Sequence, residues 1–359
     1  MRIATILLVA LAGLSASLTT TAAPVENVLL VSWDGLRWQE LFGGADARLL
    51  TPEAKANENA AEVKEEFWAD SPEARREILL PWFWGTLAKE GQVYGHAESG
   101  SPSVVTNGLN FSYPGYSEIL TGSVDPKIDS NAKKNNVNVT VLEWLNQQPG
   151  FEGSVAAFAS WDVFPYIINA ERSGIPVNAG WMPLTVSNDP EHLKFLNQIS
   201  DETPHYWGGI RFDFTTFHGA VEYVKAKKPR LLYVAFGETD DWAHDKRYDM
   251  YLASARRTDD YVRRLWELLQ SMPQYAGKTA LVMTTDHGRG DTIDDWTGHG
   301  AKVVGSERIW MALYGAGIPA KGLVKNAPTT QAQVAATVAH LLGKDFQQAN
   351  PEAAASVKP

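Results

Sequence analysis

"TALVMTTDHGRGDTIDDWTGHG" (279–300) starts as an apolar run and ends as a loop carrying two histidines, four aspartates and four glycines within residues 284–300. A short, continuous apolar run reads as a strand buried on both faces. The loop after such a strand is where an α/β fold places chemistry, so an Asp-His pair there reads as metal ligands. An ordinary polar loop is the competing reading of this stretch alone. Working outward, similar runs recur at "NVLLVSWDG" (27–35), "SVAAFASWD" (154–162), "PRLLYVAFGETDD" (229–241) and "RIWMALYGAG" (308–317). Helical stretches lie between them at 140–148, 218–228 and 250–272. A last helix is expected over 329–343, starting at a Thr cap and stopping at Gly343. This alternation predicts an α/β fold with a mostly parallel central sheet and helices on both faces.

The chain has 359 residues, 44% hydrophobic, with 13 tryptophans, enough apolar material for a large core and too much for disorder. Residues 1–23 pair Arg2 with an apolar stretch from Ile3 to Leu14 and then small residues. That pattern reads as a signal peptide, cut after Ala22 or Ala23, and it predicts a periplasmic or secreted protein with no membrane span after cleavage. Residues 24–359 then read as one catalytic domain, with excursions at about 45–82 and 178–212. There is no cysteine, so a disulfide framework and a lipoprotein anchor are both excluded. The net charge of −10 opposes stable binding to nucleic acid or anionic membranes, although one local positive site could still hold a phosphate.

The polar residues that follow the strands are Asp34, then Asp240 and His244, then Asp286 and His287, with His299 beyond. Carboxylates and imidazoles gathered at one sheet edge compete or repel unless divalent cations join them. Asp240 and His244 are four apart, which puts both on one face if "DDWAHD" opens a helix. Ser112 in "NFSYPGYSEILTG" (110–122) begins a short helical run closed by Gly122. The free N–H groups at such a helix start suit a nucleophile or a phosphoryl oxygen, and the plain alternative is a helix cap.

With these residues in order, the chain resembles the alkaline phosphatase superfamily, most closely its nucleotide pyrophosphatase/phosphodiesterase branch. The ordered matches are "VSWDG", "SYPGYSEILTG", "DDWAH", "TDHGR" and "TGHGA", across roughly residues 27–343. The resemblance implies an alkaline-phosphatase-like fold and two divalent metal ions, zinc above all. Asp34, Ser112, Asp286 and His287 would hold one ion and Asp240, His244 and His299 the other. It also implies a small-molecule phosphate ester as substrate, attacked in line by Ser112 to give a phosphoserine.

Certain departures bear on the substrate. Ser stands where most diesterases of this branch have Thr. Tyr116 stands where a sulfatase needs Arg. No Arg adjoins Ser112, and "ASWDVFPY" occupies the stretch where monoesterases carry their cations, so diesters are favoured. A phosphate-contacting Asn is expected within "DSNAKKNNVN" (129–138), which offers Asn131, Asn135 and Asn136 with Lys133 and Lys134 beside them. Either lysine could restore a monoesterase preference. Trp33, Trp38, Phe111 and Tyr113 could stack on a base or be core. The other readings are a phosphoglycerate mutase-like enzyme, a sulfatase and a non-catalytic periplasmic zinc-binding protein.

Overall fold

The computed structural model describes residues 24–359; the expected signal peptide lies outside the described residues. The main sheet contains β1 (Asn27–Trp33), β2 (Gln92–Tyr94), β3 (Val155–Ala159), β4 (Val177–Ala179), β5 (Leu231–Phe236), β6 (Thr279–Thr284), β7 (Met311–Gly315) and β8 (Gly322–Leu323). Their spatial order is β8-β2-β7-β6-β1-β5-β3-β4. All pairs are parallel except those of β7, which runs antiparallel to β6 and β2. The expected mostly parallel sheet is therefore what the chain forms.

The three central strands are buried along their whole length. Alternation of side chains splits each between two cores. Leu29, Val31, Leu232, Val234, Leu281 and Met283 join one core, while Val28, Leu30, Leu231, Tyr233, Ala280 and Val282 join the other. This two-sided burial explains why the strands read as continuous apolar runs. Five helices bear on the site or cover these faces: α1 (Ser112–Thr121), α2 (Asp213–Lys227), α3 (Glu238–His244), α4 (Tyr248–Ser271) and α5 (Gln333–Leu341). In α4 the buried Tyr251, Leu252, Ala255, Val262, Leu265, Trp266 and Leu269 recur at helical spacing and pack on the first face. Val334, Ala335, Val338 and Ala339 of α5, with Ile119 and Leu120 of α1, cover the second.

Three expectations need correction. The single strand over 308–317 is two: Arg308–Ile309 pairs with Ser103–Val104 in a small sheet, and Met311–Gly315 pairs with β6. Trp310 breaks the run because its carbonyl accepts from the Thr284 hydroxyl at 2.8 Å and its indole meets Trp33 edge-on at 6.1 Å. The last helix begins only at Gln333, because Thr329–Thr330 forms a strand against Ser103–Val104. The stretch 178–212 is not wholly an excursion either, since it leaves from β4, an edge strand of the main sheet. No helix among the described residues is long and apolar enough to cross a membrane.

Candidate active site

Parallel register brings the acidic residues together. Ser32 of β1 faces Thr284 of β6, and Trp33 faces Phe236 of β5, so all three strands end at one level. Asp34 and Asp286 then lie side by side, while β5 turns through Gly237 into α3, which carries Asp240 and His244 on one face as their spacing predicts. Asp286 Oδ1 accepts from the Gly35 N–H at 3.1 Å, and Asp34 Oδ2 accepts from the Tyr116 hydroxyl at 2.8 Å. The other oxygens, Asp34 Oδ1 and Asp286 Oδ2, are buried without a hydrogen-bond partner.

His287 Nε2 lies 3.3 Å from Asp286 Oδ2, 3.5 Å from Asp34 Oδ1 and 3.4 Å from Ser112 Oγ. Its Nδ1 faces the Gly288 carbonyl at 2.9 Å, which can only accept, so Nδ1 carries the proton and Nε2 keeps its lone pair. His299 follows the same rule, with Nδ1 on the Asn110 carbonyl at 3.2 Å, and its ring stacks on His287 at 3.9 Å. Two sets of donor atoms lie close enough to share an ion: Asp34, Asp286 and His287, and Asp240, His287 and His299. His287 belongs to both, and His244 stands further out, its Nε2 3.1 Å from Asp240 Oδ2 and 3.0 Å from His299 Nε2.

Electrostatics sharpen the contrast. Burial, then the Asp286 and Asp240 charges, push the Asp34 carboxyl well above the usual range, and burial likewise raises Asp286 against the pull of His287. Burial also acts to raise Asp240, but the Arg289 guanidinium and the neighbouring imidazoles outweigh it and hold this carboxyl well below the usual range. His299 is pushed well down by burial and then by His287. Unpartnered buried carboxylate oxygens beside neutral imidazole lone pairs form a donor set that a borderline divalent cation satisfies. The residues of the first set fit such an ion.

Ser112 is the first residue of α1, not its cap. The cap role belongs to Asn131, whose Oδ1 accepts from the Tyr113 N–H at 3.0 Å. Pro114 has no N–H, and the Ser112 N–H, at the first position of the helix, has no carbonyl of an earlier turn to reach. Gly115 lets α1 approach: a Cβ there would stand 2.3 Å from the Asp286 carbonyl.

Of the other candidate phosphate contacts, Lys133 pairs with Asp162 at 2.6 Å and Asn135 turns to Glu171 at 3.3 Å. Asn136 is buried against Ser117 Oγ at 3.1 Å, away from the strand ends. Trp33 and Tyr113 are core residues, and Trp38 lies under Arg308. Sequence reasoning missed Tyr116 and Arg289. Arginine bracketed by glycines in "HGRG" was the available signal, because that loop otherwise carries only acidic charge.

The sequence pattern of the type I phosphodiesterase/nucleotide pyrophosphatase family matches residues 46–357. No curated protein sequence matches the chain. Among solved structures, wild-type alkaline phosphatase PafA superposes with a TM-score of 0.59 at 11% identity, over 90% of this chain and 97% of that one. An inactive murine ectonucleotide pyrophosphatase/phosphodiesterase 5 in complex with AMP gives 0.52 at 14%, over 93% and 97%. The phosphonate monoester hydrolase of Agrobacterium radiobacter gives 0.52 at 13%, over 89% and 74%. At these identities the likeness is one of fold. With the family pattern running through nearly all of an alkaline-phosphatase-like fold, the chain belongs to the type I phosphodiesterase/nucleotide pyrophosphatase family, whose chemistry is phosphoester hydrolysis.

Proposed function

We propose that this protein is an exported, two-zinc hydrolase of small phosphate diesters that works through a phosphoserine on Ser112. The observation that carries the reading is Ser112 Oγ at a helix start, 3.4 Å from His287 Nε2, beside two buried carboxylates with unpartnered oxygens. A divalent cation held by Asp34, Asp286 and His287 would supply Lewis-acid charge that acidifies the serine hydroxyl and offsets charge on the phosphoryl group. Ser112 Oγ gives up its proton and attacks phosphorus in line, the bond to the leaving alkoxide breaks, and the proton lost by the serine ends on that alkoxide, which departs as the alcohol. Water then attacks the phosphoserine, and the serine oxygen leaves and regains its proton. Asn131 fixes the first turn of α1, and the positive end of the helix dipole at Ser112 favours an incoming anion.

The diester preference rests on how the nearby cations are engaged. A monoester dianion has an extra charged oxygen that needs a cationic donor in the transition state. Lys133 is paired with Asp162, and the Arg289 guanidinium is bound by Asp240 and by the Trp296 and Thr297 carbonyls. With zinc present, bis-p-nitrophenyl phosphate is expected to have the higher kcat/KM than p-nitrophenyl phosphate. A monoester preference of about a hundredfold or more would overturn the diester reading. Loss of that preference in Lys133→Ala would then identify the half-exposed Lys133 as the gripping cation. Export is supported by the leader-like residues 1–23, and amino-terminal sequencing of the secreted or periplasmic fraction tests it.

A further inference from the structure

Arg289 sits in the middle of the second donor cluster, wholly buried. Its Nε donates to the Trp296 carbonyl at 3.1 Å, and Nη2 donates to the Thr297 carbonyl. These two bonds aim the guanidinium at Asp240, whose Oδ1 accepts from Nη1. Nη2 also reaches His244 Nδ1 at 3.3 Å. Gly35 leaves the room for this arrangement: a Cβ there would stand 2.7 Å from Asp240 Oδ1 and 2.9 Å from Arg289 Nη1.

An arginine has donors only, so His244 Nδ1 must accept, and the neutral ring carries its proton on Nε2. The other contacts agree. Nε2 faces Asp240 Oδ2 at 3.1 Å and the lone pair of His299 Nε2 at 3.0 Å, both acceptors. The His244 nitrogen that faces the cluster is therefore protonated, and the cluster's one carboxylate already has a fixed positive partner. The first cluster is the reverse: two carboxylates, each with an unpartnered oxygen, and a His287 whose inward nitrogen keeps its lone pair.

We propose that Arg289 makes the two cation positions unequal, so that the Asp34, Asp286 and His287 position binds a divalent cation tightly while the Asp240, His244 and His299 position binds it weakly and exchanges it. The guanidinium acts by competing for Asp240, by fixing His244 in the tautomer that cannot ligate through Nε2, and by repelling a second positive charge placed beside it. This inference rests on the two-cation reading of the site above.

The test is a zinc titration of the metal-stripped full-length protein against a chromophoric chelator, with zinc content measured after gel filtration. Wild type is expected to bind about two zinc ions with affinities at least about tenfold apart. Arg289→Met should tighten the weaker position by about tenfold or more and leave the tighter one within about twofold. Arg289→Lys, which keeps the charge but loses the planar fork that reaches both residues, should tighten it less. Two equal affinities in wild type would overturn the inference. So would a weaker position that is unchanged or looser in Arg289→Met, since the guanidinium would then be bracing the ligands rather than opposing the ion. Should Arg289→Met not fold, the Lys variant decides by the same criterion. A wild type that binds no zinc at all would instead sink the two-cation function.

Discussion

The cluster of Asp34, Asp286 and His287 and the cluster of Asp240, His244 and His299 use the same donor types but are held by different means. The first is fixed by the sheet. Asp34 and Asp286 project from adjacent strands in register, and Asp286 and His287 are fully buried. The second is assembled from a short helix and a loop, and the His244 side chain is 46% exposed. Its geometry depends on Arg289, Gly35 and the Asn110 carbonyl. Strand ends provide rigidity through hydrogen bonds that the fold makes in any case, whereas helix and loop donors need dedicated side-chain partners. The difference teaches that one group of donors at a sheet edge can be as firmly held as the core while a neighbouring group stays adjustable.

The largest expected effect belongs to neither cluster but to the group between them. Ser112→Ala should lower kcat by at least about a thousandfold while zinc content and fold remain. Because Ser112 makes no capping bond, the free energy of unfolding should change by no more than about 0.5 kcal/mol. A wild-type rate in Ser112→Ala would replace the covalent route by direct attack of water.

The comparison itself is tested by metal retention. Asp34→Ala should remove the tightly bound zinc and most activity, while His299→Ala should loosen one zinc by about ten- to a hundredfold and spare the other. Chelation of wild type should abolish activity and lower the melting temperature, because the buried carboxylates lose their partner. Equal metal loss in the two variants would break the asymmetry, and elemental analysis after dialysis reads it directly.

A smaller effect is expected at the helix start. Asn131→Ala removes the side chain that accepts from the Tyr113 N–H, which should cost about 1 kcal/mol of stability. The accompanying fall in kcat should exceed any rise in KM, since the loss misplaces the nucleophile. Unchanged kcat would mean that the sheet alone positions Ser112.

The effect with no consequence for catalysis comes from a buried carboxyl outside the site. Asp259, pushed up to about 7 chiefly by burial, accepts from the Trp82 and Phe83 N–H groups at 2.8 and 2.9 Å. Its folded form holds a proton that the unfolded chain releases near 3.8, so its contribution is greatest at low pH and is lost as pH rises toward about 7. Urea midpoints between pH 5 and pH 8 should fall less steeply in Asp259→Asn than in wild type. An identical slope would show that Asp259 does not titrate in this window.

The sequence by itself determined five of the eight strands of the main sheet and its chemistry-bearing edge, but not the short strands β2, β4 and β8. Strands buried on both faces leave an unmistakable apolar run, and the Asp, His and Gly residues that follow each run are read directly from the chain. The four-residue spacing of Asp240 and His244 was equally legible, because helical geometry is local. Only the tertiary structure decided how these pieces meet. Parallel register sets Asp34 beside Asp286, a fact of strand pairing between residues 252 positions apart. The turn of Asn131 rather than Asn136 toward the first turn of α1, the break at Trp310 and the aim of Arg289 at Asp240 all depend on partners distant in sequence. Periodicity and local propensity record which side chains are buried and what conformation each segment prefers. They do not record which of several buried polar groups hydrogen-bond to one another, and in this site that choice sets the tautomers and the charges.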